Sequence, residues 1–144
     1  VSEYADLHYP NGQLIEKISY KDGRKNGKFT GYYENGQKKH IRTYKDDKLE
    51  GKFADYTESG QILRKQGYVN DLLDGPSKEW YLNGEVKVKT AYKQGKLDGG
   101  FMSYDSLGRK VTKGEYEMGL KAGDWLTWYP SGKKKEKSSY FSGK

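Results

Sequence analysis

Short runs of alternating apolar and polar residues, separated by glycine-containing segments, follow one another along the chain and predict β-strands joined by tight turns. The pattern repeats every 24 residues without an insertion. Three series carry it: Gly12, Gly36, Gly60, Gly84, Gly108 and Gly132; Tyr20, Tyr44, Tyr68, Tyr92, Tyr116 and Tyr140; and Gly27, Gly51, Gly75, Gly99 and Gly123. A period of this length predicts a repeat array, which offers partners a long surface and rarely holds a deep pocket.

One repeat spans residues 28–51. On either side of Asn35-Gly36, aromatic and β-branched residues alternate with polar ones and predict two strands. Asn35-Gly36 itself predicts a two-residue type I′ hairpin turn, because both residue types tolerate positive φ, and this turn places Tyr33 opposite Lys38. The polar residues that close the repeat predict a turn back into the next one. No segment sustains a helical period.

The sequence therefore predicts an all-β fold, an elongated single-layer antiparallel meander of about six tandem β-hairpins in a twisted repeat array. We expect a single repeat domain over residues 1–144, with units at 4–27, 28–51, 52–75, 76–99, 100–123 and 124–144. The fourth unit departs from its neighbours at Ser77, where they carry an aromatic residue. Pro76 beside it predicts a local distortion of strand pairing.

Composition adds a constraint on the core. Hydrophobic residues make up 33% of the chain, the mean hydropathy is −1.12 and the net charge is +7, values that are typical of disordered chains. Aromatic residues reach 15%, however, and recur in register with the repeat, so we expect a thin aromatic core along the chain. No apolar run approaches the roughly 20 residues that span a bilayer.

The repeat also carries a recognisable motif, in which spaced aromatic residues precede an Asn-Gly or Ser-Gly turn and a tyrosine follows it. The residues that show it best are Trp125, Trp128, Tyr129, Ser131, Gly132 and Tyr140, and then Phe29, Tyr32, Tyr33, Asn35, Gly36, Tyr44 and Gly51. This motif resembles the MORN repeat variant of bacterial antitoxin-like and immunity-like proteins, over essentially the whole chain. The resemblance implies arrays of β-hairpins that bind other proteins, in several cases a cognate toxin.

Alternation along the predicted strands sorts the side chains onto two faces. The tyrosine face collects the repeating tyrosines with Phe29, Phe53, Phe101 and Trp125, and we expect it to be the packed side. The opposite lysine face collects Tyr32, Tyr56, Trp80, Tyr104, Trp128, Lys17, Lys65, Lys89, Lys113 and Lys137. Two interpretations of the lysine face stay open: lysine stems that shield solvated rings, or a basic aromatic surface for an acidic partner.

Catalytic chemistry finds little support in the sequence. There is no cysteine, and of the two histidines His40 occupies a column that varies between repeats and is therefore expected to be exposed. No metal-ligand spacing or phosphate-binding loop is present, so we expect no enzyme activity, no cofactor and no metal. Nucleic acid is disfavoured as a partner because the basic residues are mostly lysines and 20 acidic residues are interspersed among them.

We therefore expect a non-enzymatic protein-binding scaffold, which the resemblance narrows to an antitoxin or immunity protein that neutralises a cognate toxin by occlusion. The residues expected to carry binding are Lys65, Trp80, Lys87, Lys89, Tyr104 and Lys113. The aromatic residues would anchor an acidic partner that the lysines steer. The alternative is an envelope- or membrane-associated scaffold that binds anionic lipid or a polyanion through the same face. The expected compartment is the bacterial cytoplasm, or the cell envelope if a leader has been removed before Val1.

Overall fold

The computed structural model describes residues 2–141. Val1 and residues 142–144, with which the last predicted unit ends, lie outside the described residues. Strands and turns account for the regular structure of residues 2–141, and this part of the chain contains no helix. It accordingly contains no helix long and apolar enough to cross a membrane.

The chain divides into two compact units, Val1–Leu72 and Leu73–Lys144. The strands of the first unit are Ser2–His8 (β1), Leu14–Lys21 (β2), Arg24–Tyr32 (β3), Lys38–Lys45 (β4), Lys48–Leu49 (β5), Gly51–Tyr56 (β6) and Ile62–Val69 (β7). The two-residue strand Leu72–Leu73 (β8) falls at the boundary in the chain. The strands of the second unit are Gly75–Trp80 (β9), Val86–Lys93 (β10), Lys96–Leu97 (β11), Gly99–Tyr104 (β12), Lys110–Glu117 (β13), Leu120–Trp128 (β14) and Lys134–Tyr140 (β15).

Strand pairing follows chain order within each unit. The order is β1-β2-β3-β4-β6-β7 in the first unit and β9-β10-β12-β13-β14-β15 in the second, with β5 paired to β4 and β11 paired to β10. The pairs of both units are antiparallel. The predicted all-β hairpin meander is thus confirmed.

The turn at Asn35-Gly36 differs from the predicted type I′ turn. The Gly36 N–H donates to the carbonyl of Tyr33 at 2.9 Å, and the Tyr33 N–H donates to the carbonyl of Gln37 at 2.7 Å. Gly36 has a φ of +86°, whereas Asn35 keeps a negative φ. This is a three-residue loop with glycine in the left-handed position, so Asn35 serves as a turn former through its side chain, which accepts the Gln37 N–H at 3.0 Å.

The register of the strands nevertheless stays as predicted beyond the turn. Tyr32, rather than Tyr33, lies opposite Lys38, so the longer loop shifts the pairing by one residue. A bulge at Lys39 then takes up the extra residue, and Gly31 pairs with His40. The same shift recurs in the other hairpins, at Ile15, Leu63, Lys87, Val111 and Lys135. Each hairpin therefore restores the original alternation of faces.

Type I′ geometry occurs at the second loop of the repeat. Asp46 and Asp47 connect the paired residues Lys45 and Lys48 and have φ values of +48° and +68°. Positive φ at both positions also marks Asp22-Gly23, Asn70-Asp71, Gln94-Gly95 and Met118-Gly119. A two-residue loop between paired strands requires this conformation, because it matches the right-handed twist of the strands.

Packing of large rings is concentrated on the tyrosine face, as predicted. Trp125 is only 6% exposed, and its centroid lies 5.5 Å from that of Phe101 and 5.0 Å from that of Tyr116. The indole N–H donates to the carbonyl of Glu115 at 3.2 Å. The Trp125 ring lies over Gly114, where a Cβ atom would overlap it. The absent side chain of Gly114 is therefore what lets the ring lie against the sheet.

The expected distortion at Pro76 is absent. Pro76 pairs with Ala91 and Ser77 with Thr90 without a register shift. In an antiparallel strand, every second residue points its N–H group away from one neighbouring strand. A proline at one of these positions, which has no N–H group, leaves the pairing with that neighbour intact. Ser77 is 5% exposed and takes the column position of the aromatic residues without disturbing the strand.

Replacing Gly114 with alanine is expected to destabilise the fold by about 1–3 kcal/mol, because the new methyl group displaces the Trp125 ring. Urea unfolding followed by tryptophan fluorescence measures the loss. The matched control is Gly100→Ala, since a Cβ at Gly100 meets nothing within 4 Å and its φ lies outside the left-handed region. Equal stability of the two variants would contradict the packing described for Trp125.

Candidate functional site

A row of side chains crosses the second unit on the lysine face. Direct strand pairing joins Lys78 to Lys89, Lys89 to Met102, Met102 to Lys113, Lys113 to Leu126 and Leu126 to Lys137. We call these six residues the lysine row. Neighbouring members stand on adjacent strands about 4.8 Å apart, so apolar Met102 and Leu126 are each flanked by ammonium groups.

The aromatic residues of the same face lie beside the lysine row. The Lys78 Nζ lies 5.1 Å from the centroid of the Trp80 ring, and the Lys89 Nζ lies 5.8 Å from that of Tyr104. The Tyr81 hydroxyl donates to the Tyr104 carbonyl at 2.9 Å and fixes the end of that strand. Both rings are partly buried, so lysine stems cover them while the ammonium groups stay in water.

A groove of about 800 Å³ opens along the lysine row. Its lining includes Lys89, Gly100, Met102, Lys113 and Leu126. The groove is open enough to admit a segment of another chain, and apolar atoms make up most of its lining. Its two lysines stand on opposite sides of Met102, because each of them pairs with that residue.

Two acidic residues also line this groove, Glu115 and Asp124. Asp124 accepts a hydrogen bond from the Ser139 hydroxyl at 2.7 Å and forms an ion pair with Lys137 at 3.2 Å. The Ser139 hydrogen bond and then the Lys137 ammonium hold the pKa of Asp124 below its usual range. Asp124 is therefore satisfied by its own neighbours. Within the described residues neither Lys89 nor Lys113 forms an ion pair, so both ammonium groups are available.

The first unit has a row at the same repeat positions but with different chemistry. Its members, in pairing order, are Asp6, Lys17, Thr30, Ile41, Ala54 and Lys65. Two lysines and one aspartate give this row a formal charge of +1, whereas the four lysines of the second-unit row give +4. The row itself is therefore more basic in the second unit, whereas the neighbouring column of the same face adds Lys28 and Lys52 to the first unit and Asp124 to the second.

The structure brings together four of the six residues that the sequence selects for binding. Trp80, Lys89, Tyr104 and Lys113 lie on the lysine face of the second unit, within or beside the lysine row. Lys65 belongs to the first-unit row and is exposed there.

Lys87 lies outside the lysine row. It is the bulge residue of its hairpin, and its Nζ lies 5.6 Å from the centroid of the Tyr81 ring.

Sequence reasoning missed Lys78, Met102 and Leu126. These residues occupy one column of the repeat, since they stand 24 positions apart. A comparison of the repeats at that position identifies the three residues. It does not show that they lie next to Lys89 and Lys113, because that requires the strand pairing between consecutive repeats. That pairing depends on the turns and bulges at both ends of the strands, which the sequence pattern alone did not give.

His40 lies on the tyrosine face of the first unit and is half-buried, so its predicted exposure is wrong. Its ring stacks on Phe29 with centroids 5.3 Å apart and an interplanar angle of 6°. The imidazole also covers Gly31, where a Cβ atom would overlap it. As with Trp125, a glycine on the neighbouring strand makes room for the ring. The prediction of exposure used only the variation of this position between repeats, which carries no information about the residue across the strand.

No cluster of three or more histidine, aspartate or glutamate side chains that could hold a metal ion occurs in residues 2–141. The arrangement of the lysine face supports contact with another molecule.

Four segments of the chain, residues 7–22, 25–46, 73–94 and 121–141, match the family model described as MORN repeat variant. Together they make up more than half of the chain. No curated protein shows a significant match to the chain. The predicted repeat architecture is therefore confirmed at the level of this repeat family.

Protonation of His40 is expected to destabilise the fold below neutral pH. Burial lowers the pKa of His40 and the positive charge of Arg42 lowers it further, with a smaller effect from Lys39, while Asp55 and Glu16 act in the opposite direction. The unfolded chain then takes up the proton first, so the free energy of unfolding falls as the pH drops through about 6.5 and levels off below the folded-state pKa. Urea unfolding at several pH values between 7.5 and about 5 measures this slope.

The matched variant is His40→Gln, which removes the titrating group and keeps a planar polar side chain. The wild-type protein should lose more stability over this interval than the variant does. A larger loss in the variant would contradict the assigned direction of the His40 pKa.

Proposed function

The chain belongs to the MORN repeat variant family, and from this we propose that it is a binding scaffold whose partner is another protein, held against the lysine row of the second unit. The family is one of repeat-based scaffolds. The single observation that carries the choice of surface is the alternation of Lys89 and Lys113, which form no ion pair within the described residues, with Met102 and Leu126. A surface of this kind offers apolar contact and long-range attraction to the same partner.

The chemistry of the row favours an acidic protein over a nucleic acid. Its cations are all lysines, and none of its members is an arginine, which would bind phosphate through a planar fork of N–H groups. Met102 and Leu126 would remain unused against a phosphate backbone, whereas the core of a protein interface favours methionine and aromatic residues. Trp80 and Tyr104 beside the row are suited to act as anchors once their lysine cover is displaced.

The finer proposal concerns what binding accomplishes. A scaffold without catalytic groups acts by occupying a surface, so we propose that the chain neutralises a toxin by covering its active surface. The support for this step is the motif in Trp125, Trp128 and Tyr129 and the binding character of the lysine row. Affinity purification from the native cell, followed by co-expression of the captured partner with and without this chain, tests it: rescue of growth supports neutralisation, and a harmless partner rules it out.

Reversing two charges of the lysine row is expected to weaken partner binding at least about tenfold, because the attraction to an acidic partner becomes a repulsion. The variant is Lys89→Glu with Lys113→Glu. The control is Lys93→Glu with Lys96→Glu, which flank a two-residue turn of the same unit and are exposed. Both pairs of changes lower the net charge equally, so calorimetry with the purified partner separates position from total charge.

Equal losses in the two variants would show that only the total charge matters, and an unchanged affinity of the Lys89 and Lys113 variant would overturn the proposed surface. Circular dichroism and thermal unfolding establish that both variants are folded.

A second candidate is association with anionic lipid, and one observation favours it. Leu82 and Leu107 are 75% and 70% exposed and stand in the turns of two hairpins of the second unit. Exposed apolar side chains at loop tips can enter a membrane interface while nearby lysines meet anionic headgroups.

If lipid is the target, the double variant Leu82→Ser with Leu107→Ser should no longer co-sediment with vesicles in which about one third of the lipid is anionic phospholipid. Lipid binding through these residues should persist in part at high salt, where purely electrostatic attraction is screened. Absence of wild-type co-sedimentation removes the lipid candidate and leaves the protein-binding proposal unaffected.

A further inference from the structure

We propose that the groove of the second unit binds an extended acidic segment of the partner, which places one apolar side chain in a notch at Gly100 and one carboxylate on each side, at Lys89 and Lys113. This inference rests on the proposed function and specifies which part of the partner is recognised.

The notch exists because Gly100 lacks a side chain where other repeats have one. The residues at the equivalent positions are Tyr4, Lys28, Lys52, Pro76 and Asp124. The backbone does not require glycine there, since the φ of Gly100 lies outside the left-handed region, in contrast to Gly99 with +114°. A Cβ atom at Gly100 would meet nothing within 4 Å. The missing side chain therefore leaves open space in the lysine face.

The notch is part of a larger concavity with mixed lining. The groove volume of about 800 Å³ falls in the range of about 300–1,000 Å³ that is usual for ligand sites. Met102 follows Gly100 by two residues on the same strand, so both face the groove. Met102 has an ammonium group on either side, and Gly100 lies beside it along the strand, directly opposite Glu115. An apolar side chain that enters the notch and contacts Met102 is therefore within reach of both ammonium groups, which suits a carboxylate on each side of it.

The spacing of the two lysines fits an extended peptide. Lys89 and Lys113 both pair with Met102, so their Cα atoms stand two strand spacings, about 10 Å, apart. In an extended segment, side chains at positions i, i+2 and i+4 share one face, and the outer two are about 13 Å apart. Lysine side chains are long enough to take up the difference. The expected pattern is acidic, any residue, apolar, any residue, acidic.

The charges around the groove select for this ligand. Lys89 and Lys113 line the groove and are opposed there by Glu115, while the Asp124 carboxylate is occupied by Lys137 and Ser139. Lys78 lies next to Lys89, outside the lining, and adds a further positive charge. A segment with two carboxylates therefore meets an excess of positive charge. Glu115 borders the notch, since it pairs with Gly100, and its replacement by glutamine changes the charge while keeping a side chain of the same size there.

The test uses the whole chain and a labelled synthetic peptide with glutamate, serine, leucine, serine and glutamate at its centre, followed by fluorescence anisotropy. The decisive variant is Gly100→Lys, which restores the lysine of other repeats, fills the notch and adds one positive charge. We expect it to bind the peptide about tenfold more weakly than wild type does, because the leucine loses its site. Attraction by charge alone would make the same variant bind more tightly.

The matched control is Glu115→Gln, which changes the net charge by the same amount and leaves the notch open, so it should bind as tightly as wild type or more tightly. A peptide with serine in place of leucine should bind wild type about tenfold more weakly and should no longer distinguish wild type from Gly100→Lys. Thermal unfolding establishes that each variant is folded.

Unchanged or tighter peptide binding by a folded Gly100→Lys variant would overturn the inference, as would a lack of measurable binding by wild type. Neither result would affect the proposed function, which depends on the binding of the intact partner to Lys89 and Lys113. If instead reversal of those two lysines leaves partner binding unchanged, the proposed function is wrong whatever the peptide does.

Discussion

Strand register is the constraint on which both faces of this protein depend. A slip of one residue would move every side chain of a strand to the opposite face, because side chains alternate with a period of two. In each hairpin the strand register shifts by one residue at the three-residue glycine loop and shifts back by one residue at a bulge, such as that at Lys39. The two shifts therefore cancel. Only because of this cancellation do the packed rings of the tyrosine face and the side chains of the lysine row lie on separate faces.

The thin sheet of each unit places a second demand on the sequence. None of the large side chains among the described residues is fully buried, so ring contacts on the tyrosine face must supply much of the packing. Trp125 and His40 obtain their close contact from the glycines opposite them, Gly114 and Gly31. The closest ring packing of each unit thus lies on the tyrosine face, and the opposite face is not needed for a comparable core. The lysine face is therefore free to carry charge that a conventional core could not tolerate.

The sequence was sufficient for the fold class, the period and the division of residues between faces, because all three follow from alternation and from one repeated spacing. It misled about the turns: Asn35-Gly36 has the composition of a type I′ turn, yet that geometry occurs at Asp46-Asp47. Local propensity is similar at both places, and strand twist and loop length decide between them. The exposure of His40 and the lysine row were beyond reach for a related reason, since both depend on which residues face each other across strands.

The different residues of the two units at equivalent positions indicate that the variable positions of the repeat determine function. Repeat positions that keep the same residue, such as the turn glycines, maintain the backbone conformation of the hairpins whatever the partner is. The column that contains Thr30 and Ala54 in the first unit contains Lys78, Met102 and Leu126 in the second, with no change in strand pairing. Because these substitutions leave the backbone undisturbed, folding does not require them. Recognition of a partner gives a physical reason for a charged, notched surface on a framework that would fold equally well without it.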